Sequence, residues 1–436
     1  MRDTLKSPII STKLQQIAEQ AAHYPERVFI NLAHHINLDM LYEAYHQTRK
    51  DKAAGVDKVA GKEYGSNLDS NLRELYFRLK NDLYKAQPVK RVWIDKEPGK
   101  KRPLGIPCFE DKIVQRAVAM LMSAIYEQDF YDFSYGFREG RSPLDAIKRV
   151  REMCNQRNIG WIVDADVSGY FDNIDHNWLR IFLKQRVNDG GILKLIGKWL
   201  NAGVMEEGNL CHPDKGSPQG SVISPLLANI VLHHVLDEWF VKEVQPRLKG
   251  QSFIVRFADD FIIGCEHEED ARRVMEILPK RFARFGLTIH PDKTVLESFR
   301  NPDRKPKGEV RNGTFDFVGF THYWAKSLKG NWVIKRKTAS KRLRRTVKSI
   351  WIWCRNNRHM PGKEQYQIFC SKLRGHFQYY GIRCNMRSME KVYEQAKRAW
   401  RYWLSRRSHT GKVIWEKYEL FLERNPLPSP RIIHSV

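Results

Sequence analysis

The chain has 436 residues, 42% apolar and 11% aromatic, with 75 Lys and Arg against 50 Asp and Glu for a net charge of +25. That length calls for two to three domains, and that apolar content builds substantial cores, so wholesale disorder is excluded. A charge so large costs self-repulsion and points to a polyanionic partner, although a ribosome-like or merely soluble basic protein would share it.

No segment approaches the roughly 20 apolar residues of a membrane span. The seven cysteines, Cys108, Cys154, Cys211, Cys265, Cys354, Cys370 and Cys384, include no C-x-x-C pair. Neither a zinc ribbon nor a disulfide framework is indicated, and a soluble, cytoplasmic protein with reduced thiols is expected.

In chain order, Leu68, Leu72, Leu75, Leu79 and Leu83 fit one face of a predicted helix. Arg91-Val92-Trp93-Ile94, then Pro98-Gly99-Lys100, then Arg102-Pro103-Leu104-Gly105-Ile106-Pro107 predict two strands around a basic turn. Trp161-Ile162-Val163 predicts a short strand, with Asp175 capping a helix that carries Trp178, Leu179, Phe182 and Leu183. A loop over Gly216 to Gly220 precedes a helix from Leu226 to Phe240. Phe253-Ile254-Val255 and Phe261-Ile262-Ile263 predict a β-hairpin with Asp259 and Asp260 at its tip.

Beyond Phe320 three helical stripes follow: Leu343, Val347, Ile350, Trp351 and Cys354; Tyr366, Phe369, Leu373, Phe377 and Tyr380; Met389, Val392, Ala396, Trp400 and Trp403. Their aromatics are expected to form a bundle core rather than a base-stacking row. Asn331 to Val436 contains 25 Lys or Arg, 6 Glu and no Asp, so +19 of the charge lies in this last quarter. The expected divisions are 1–85, 86–328 and a basic helical 329–436.

Acids framed by Ile, Val and Phe, as in Val163-Asp164-Ala165-Asp166 and Phe257-Ala258-Asp259-Asp260, are costly to bury without a cation. Two Mg²⁺ ions held by Asp oxygens would activate a 3′-hydroxyl and stabilise phosphoryl transfer. Taken alone, an Asp-Asp dipeptide is also an ordinary surface turn, and the residues by themselves leave both readings open.

The ordered motifs resemble the reverse transcriptases of the group II intron (maturase) family. Lys101 to Pro107 and Ser134-Tyr135-Gly136-Phe137-Arg138 resemble its fingers, and Asp166 to His176 its first catalytic motif. Gly216 to Asn229 resembles its template-primer and nucleotide motif, followed by the Ala258-Asp259-Asp260 hairpin, Gly286-Leu287-Thr288 with Lys293-Thr294, and Phe315 to Phe320. Leu373-Arg374-Gly375-His376 with Tyr379-Tyr380-Gly381 resembles the family's thumb, domain X. The resemblance runs from about Leu32 to the C-terminus.

It implies an α+β right-hand polymerase, with α/β fingers, a palm built on an antiparallel sheet, and an all-α three-helix thumb. By this resemblance Asp166 and Asp259 would hold two Mg²⁺ ions, the Val167 carbonyl would complete one site, and Asp260 would sit beside them as a weaker ligand or near the primer end. Asp166 is preferred to Asp164 because Phe171 follows it by five positions. Phe171 would exclude a 2′-hydroxyl, Pro218 and Gln219 would meet the dNTP, and Gly216 and Gly220 would permit close backbone approach. Lys96 and Arg102 would engage the triphosphate, and Lys293 would protonate the leaving pyrophosphate.

The implied partners are an RNA template with a DNA primer, dNTP, structured group II intron RNA that the chain helps to splice, and a DNA target. The sequence departs from the family at Phe257, usually Tyr, and Ser168, commonly Lys; no DNA-binding or H-N-H endonuclease segment follows within these residues. Two other readings are an RNA-folding splicing cofactor with minor polymerase activity, and a domesticated enzyme of defence or CRISPR spacer acquisition.

Overall fold

A computed structural model describes residues 8–97, 100–206, 209–211, 215–217, 220–304, 312–408 and 411–435. Helices α1 (Pro8–His23), α2 (Leu38–Gln47), α3 (Gly61–Tyr64) and α4 (Leu68–Lys80) precede the antiparallel hairpin of β1 (Val89–Glu97) and β2 (Lys100–Ile106). The predicted leucine face holds through Leu79, with Leu72 and Leu75 fully buried. Leu83 falls beyond the helix and is exposed, because Asp82 takes a left-handed backbone and turns the chain away. Helix α5 (Phe109–Asp129) runs through the interior, and α6 (Pro143–Gln156) starts on a Ser142/Asp145 capping box.

The central sheet takes β3 (Trp161–Asp166) after this helix. Between it and its partners lie α7 (His176–Arg186), α8 (Gly190–Leu200), the short strands β4 (Val204–Glu206) and β5 (Asn209–Cys211), and α9 (Ser224–Leu232). Asp175 caps α7 as expected, accepting from the Asn177 and Trp178 amides. Helix α9 continues, but through π-helical segments at His233–Asp237 and Phe240–Val244. Then come β6 (Ser252–Phe257), β7 (Asp260–Cys265), α10 (Glu268–Ala283) and β8 (Val295–Ser298). Strand order is β6-β7-β3-β8, antiparallel throughout.

The consecutive apolar residues Phe253-Ile254-Val255 of β6 and Phe261-Ile262-Ile263 of β7 are explained by burial on both faces. Val163, Ile254, Phe261 and Ile263 pack into one core with α5, α9 and α10. Ile162, Phe253, Val255 and Ile262 face a second core with α6 and a smaller sheet. That sheet, β9 (Phe315–Phe317), β10 (Phe320–Lys326) and β11 (Trp332–Thr338), is absent from the sequence expectation, and residues 328–329 fall in the turn joining β10 to β11.

The C-terminal bundle comprises the three expected helices, α11 (Ser340–Asn356), α12 (Gly362–Tyr380) and α13 (Met386–Leu404), and a fourth, α14 (Trp415–Arg424). Phe369, Leu373, Phe377, Met389, Val392 and Trp400 form its core, so these aromatics are packing residues. Trp400 donates its indole N–H to Gln365 Oε1 at 3.0 Å, satisfying both groups out of water. The seven cysteines are free, and none of the described helices is long and apolar enough to cross a membrane.

Candidate active site

Two acidic motifs far apart in sequence meet at one edge of the central sheet. Asp166 ends β3 and is the register partner of Asp260, which begins β7. Phe257 pairs with Asp260 across the hairpin, leaving Ala258 and Asp259 as a two-residue turn. Ala258 has φ +58°, a conformation that hairpin turns normally give to Gly, Asn or Asp.

Its neighbours hold that conformation. The Gly136 backbone passes so close that a Cβ there would lie 2.2 Å from Ala258 N. Arg256 Nη1 donates to the Ala258 carbonyl at 3.1 Å and to Asn229 Oδ1 at 2.9 Å, while Asn229 Nδ2 donates to the Gly136 carbonyl at 2.7 Å. Arg256 Nε donates to Asp237 Oδ1 at 2.8 Å, and both side chains are fully buried. Burial pushes the Asp237 carboxyl up, and Arg256 opposes that shift. Arg256 interrupts the apolar run Ile254-Val255, and that single polar break is the signal by which this network is visible in the sequence. The half-buried Phe257 packs against the second core as a plain ring.

The acids themselves are crowded. Burial, then the charges of Asp259 and Asp166, push Asp260 up to about 7 despite a hydrogen bond from Val318 N to Asp260 Oδ2 at 3.3 Å. Asp164, two residues before Asp166 on β3, is pushed up to about 8 by burial and by Asp260, Asp316 and Asp166. Lys293 forms an ion pair with Asp166, so the expected pyrophosphate contact lies beside a carboxylate. The Val167 backbone bridges Ile289, and Ser168 N donates to the Thr288 carbonyl at 2.8 Å, which docks the Gly286-Leu287-Thr288 segment onto this edge.

Among the described residues, three donors whose ligand atoms all lie within 4.8 Å of one another are His233, His234 and Glu238, where Lys242 already bonds Glu238. The acidic edge fits a hard divalent cation: it offers several carboxylate oxygens whose pKa values burial and mutual repulsion push up, a cost that a bound cation would relieve.

Phe171 lies in a short 3₁₀ turn, Tyr170–Asp172, and is 7% exposed. Its ring meets Phe137 edge-on at 6.1 Å, and its carbonyl accepts from Ser217 N at 2.8 Å. Gly216 (φ +95°) and Gly220 (φ +109°) do permit close approach, but to protein backbone: a Cβ would lie 2.9 Å from the Asp172 carbonyl oxygen and 2.6 Å from that of Gly105, respectively. This binds the loop to the first acidic motif and to β2. Gln115 of α5, unnoticed in the sequence, anchors it further by accepting from Ser221 Oγ at 2.7 Å and Val222 N at 3.0 Å.

Pro218 and Gln219 lie outside the described residues, as does the side chain of Lys96 on β1. Arg102 is exposed on β2, and with Arg91 it is near enough to act on the Asp172 carboxyl. The hairpin therefore brings two guanidinium groups towards the first acidic motif.

Residues 94–322 match the family model described as "Reverse transcriptase (RNA-dependent DNA polymerase)". The chain belongs to the reverse transcriptase family. It is 36% identical over 453 residues to the "Group II intron-encoded protein LtrA" of Lactococcus lactis subsp. cremoris, covering 86% of this chain and 74% of that protein. It is 38% identical over 330 residues to "Protein YkfC" of Escherichia coli strain K12, covering 66% of this chain and 84% of that one. The "Putative COX1/OXI3 intron 2 protein" of Saccharomyces cerevisiae is 36% identical over 287 residues, 53% of this chain and 33% of its own length. Within the reverse transcriptases the chain thus stands among the group II intron-encoded proteins, and its mixed fold with antiparallel sheets and a helical C-terminal region is that of the family's polymerases.

Proposed function

We propose that this reverse transcriptase family member copies RNA into DNA at the β3–β7 edge and assists the splicing of a group II intron RNA. The observation that carries the reading is the register pairing of Asp166 with Asp260, which joins two distant acidic motifs beside the Asp259 turn. Two Mg²⁺ ions bound there would supply activation of the primer 3′-hydroxyl and charge stabilisation for phosphoryl transfer. Asp166, Asp259 and the Val167 carbonyl would hold them, with Asp260 beside the primer end.

The chain's own residues do the rest. Arg102 and Lys96 on the basic hairpin meet the triphosphate, guanidinium offering two donors to one phosphate. Phe171 closes the sugar side against a 2′-hydroxyl, and Pro218 and Gln219 line the base side. Lys293 exchanges its Asp166 partner for the pyrophosphate as charge builds there.

The +19 carried by residues 331–436 suits the backbone of an RNA–DNA heteroduplex and of folded RNA. In this reading residues 1–85 are an N-terminal extension and the start of the fingers, 86–328 the fingers and palm, and 329–436 the thumb, although the 328/329 boundary falls within the β10–β11 hairpin and the helical bundle starts at Ser340. The test is DNA synthesis on a primed RNA template alongside splicing of the RNA encoded around the gene. Splicing stimulated by protein that makes no DNA would replace this reading with that of an RNA-folding cofactor.

A further inference from the structure

The C-terminal bundle reaches the acidic edge through the two backbone polar groups of one residue, Val318, and through the charge of Arg342 on α11. Strands β9 and β10 are joined by Val318 and Gly319, both with positive φ, +50° and +83°, and Phe317 pairs with Phe320 across them. Both central residues of such a turn favour Asn, Asp or Gly, and a β-branched residue there is a conformational outlier. Strained backbone persists only where the surroundings over-determine it.

Here both polar groups of Val318 are occupied. Its N–H donates to Asp260 Oδ2 at 3.3 Å, and its carbonyl accepts from Tyr379 Oη at 2.9 Å. Tyr379 belongs to α12, and its ring stacks on Phe320 at 5.8 Å with planes 18° apart. Burial raises its hydroxyl well above the usual range, which keeps it a donor. Ala339 N donates to the Gly319 carbonyl at 3.0 Å, and Arg342 of α11 is near enough to act on both Asp260 and Tyr379.

We propose that Tyr379 is a positioning residue for polymerisation: by holding the Val318 carbonyl, its hydroxyl keeps Val318 in the left-handed conformation that presents the N–H of the preceding peptide to Asp260. Docking of the bundle and placement of the Asp260 carboxylate are then one event. This rests on the reading of the acidic edge as the polymerase site. A hydroxyl that merely fastened the bundle to the sheet would not care which backbone conformation Val318 prefers.

The experiment uses the full chain in single-turnover extension of a DNA primer on an RNA template, with dNTP varied at saturating Mg²⁺. Tyr379→Phe keeps the ring on Phe320 and removes only the donor. The maximal rate should fall about three- to tenfold, the scale of one lost hydrogen bond, with the half-saturating dNTP unchanged. Val318→Gly adopts positive φ without the steric strain of a β-branched residue, so adding it to Tyr379→Phe should recover part of the lost rate.

An undiminished rate in Tyr379→Phe, a loss confined to half-saturating dNTP, or no recovery with Val318→Gly each overturns the inference while wild-type synthesis leaves the polymerase reading standing. Wild-type protein that makes no DNA overturns both.

Discussion

Arg256 and Asp237 form an ion pair with no solvent exposure on either side chain, and the same guanidinium holds the Ala258 carbonyl of the turn that presents Asp259. Asp237→Ala leaves that guanidinium buried and uncompensated. Loss of one partner of such a pair costs about 3–5 kcal/mol. Urea unfolding should show a midpoint lowered accordingly, and a loss below about 1 kcal/mol, typical of an exposed pair, would mean that the pair does not hold the turn.

Phe171 is packed against Phe137 and Tyr170 at the base of the proposed nucleotide site. Phe171→Val should therefore admit ribonucleotides while retaining DNA synthesis. The ratio of dNTP to rNTP incorporation should fall by about tenfold or more, since a steric contact of roughly 1–3 kcal/mol is at stake. An unchanged ratio would return Phe171 to the status of an ordinary core residue.

His322 and His233 are buried and His376 is half-buried, and desolvation lowers all three, His322 and His233 to about 3 and His376 to about 4. In the unfolded chain they titrate near 6.5, so between these values the unfolded state binds more protons. Their contribution is fully present above pH 6.5 and is lost as pH falls towards 3. Thermal midpoints should decline through this window, and His322→Phe, whose ring can keep the stack on Phe315, should decline less steeply. Parallel curves for the two proteins would remove His322 from the account.

Much of the site was readable because its chemistry needs consecutive residues of unusual type: acids between apolar strands, a basic hairpin, a glycine-bounded loop. Asp175 as a cap and the three C-terminal stripes followed from equally local rules. Other features depend on contacts between segments remote in sequence. Arg256 is an oddity in a strand until Asp237 and Asn229 fold around it, and Val318 looks unremarkable until Asp260 and Tyr379 take its two polar groups. Strands β10 and β11 escaped notice because neither alternates cleanly: β10 mixes Thr321 and His322 with aromatics, and β11 runs Trp332-Val333-Ile334 into Lys335-Arg336-Lys337. The π-helical segments escaped because i→i+5 turns leave no periodicity of their own. Leu83 fitted the helical spacing of α4, yet the chain had already turned at Asp82.

The basic surface of the bundle carries a further expectation. If residues 331–436 meet several phosphates of a primed RNA template, the binding constant should fall linearly with salt on logarithmic axes, with a slope of about −0.7 to −0.9 per phosphate neutralised. Charge-reversing Arg345→Glu and Lys348→Glu should flatten that slope by about two such contacts. A slope untouched by both changes would place the template elsewhere.

The most direct test compares wild-type protein with Asp259→Ala in extending a DNA primer on an RNA template, with and without Mg²⁺. The account predicts Mg²⁺-dependent DNA synthesis by the wild type and its abolition in a variant that still folds and still binds the primed template. Synthesis that survives in Asp259→Ala would contradict it.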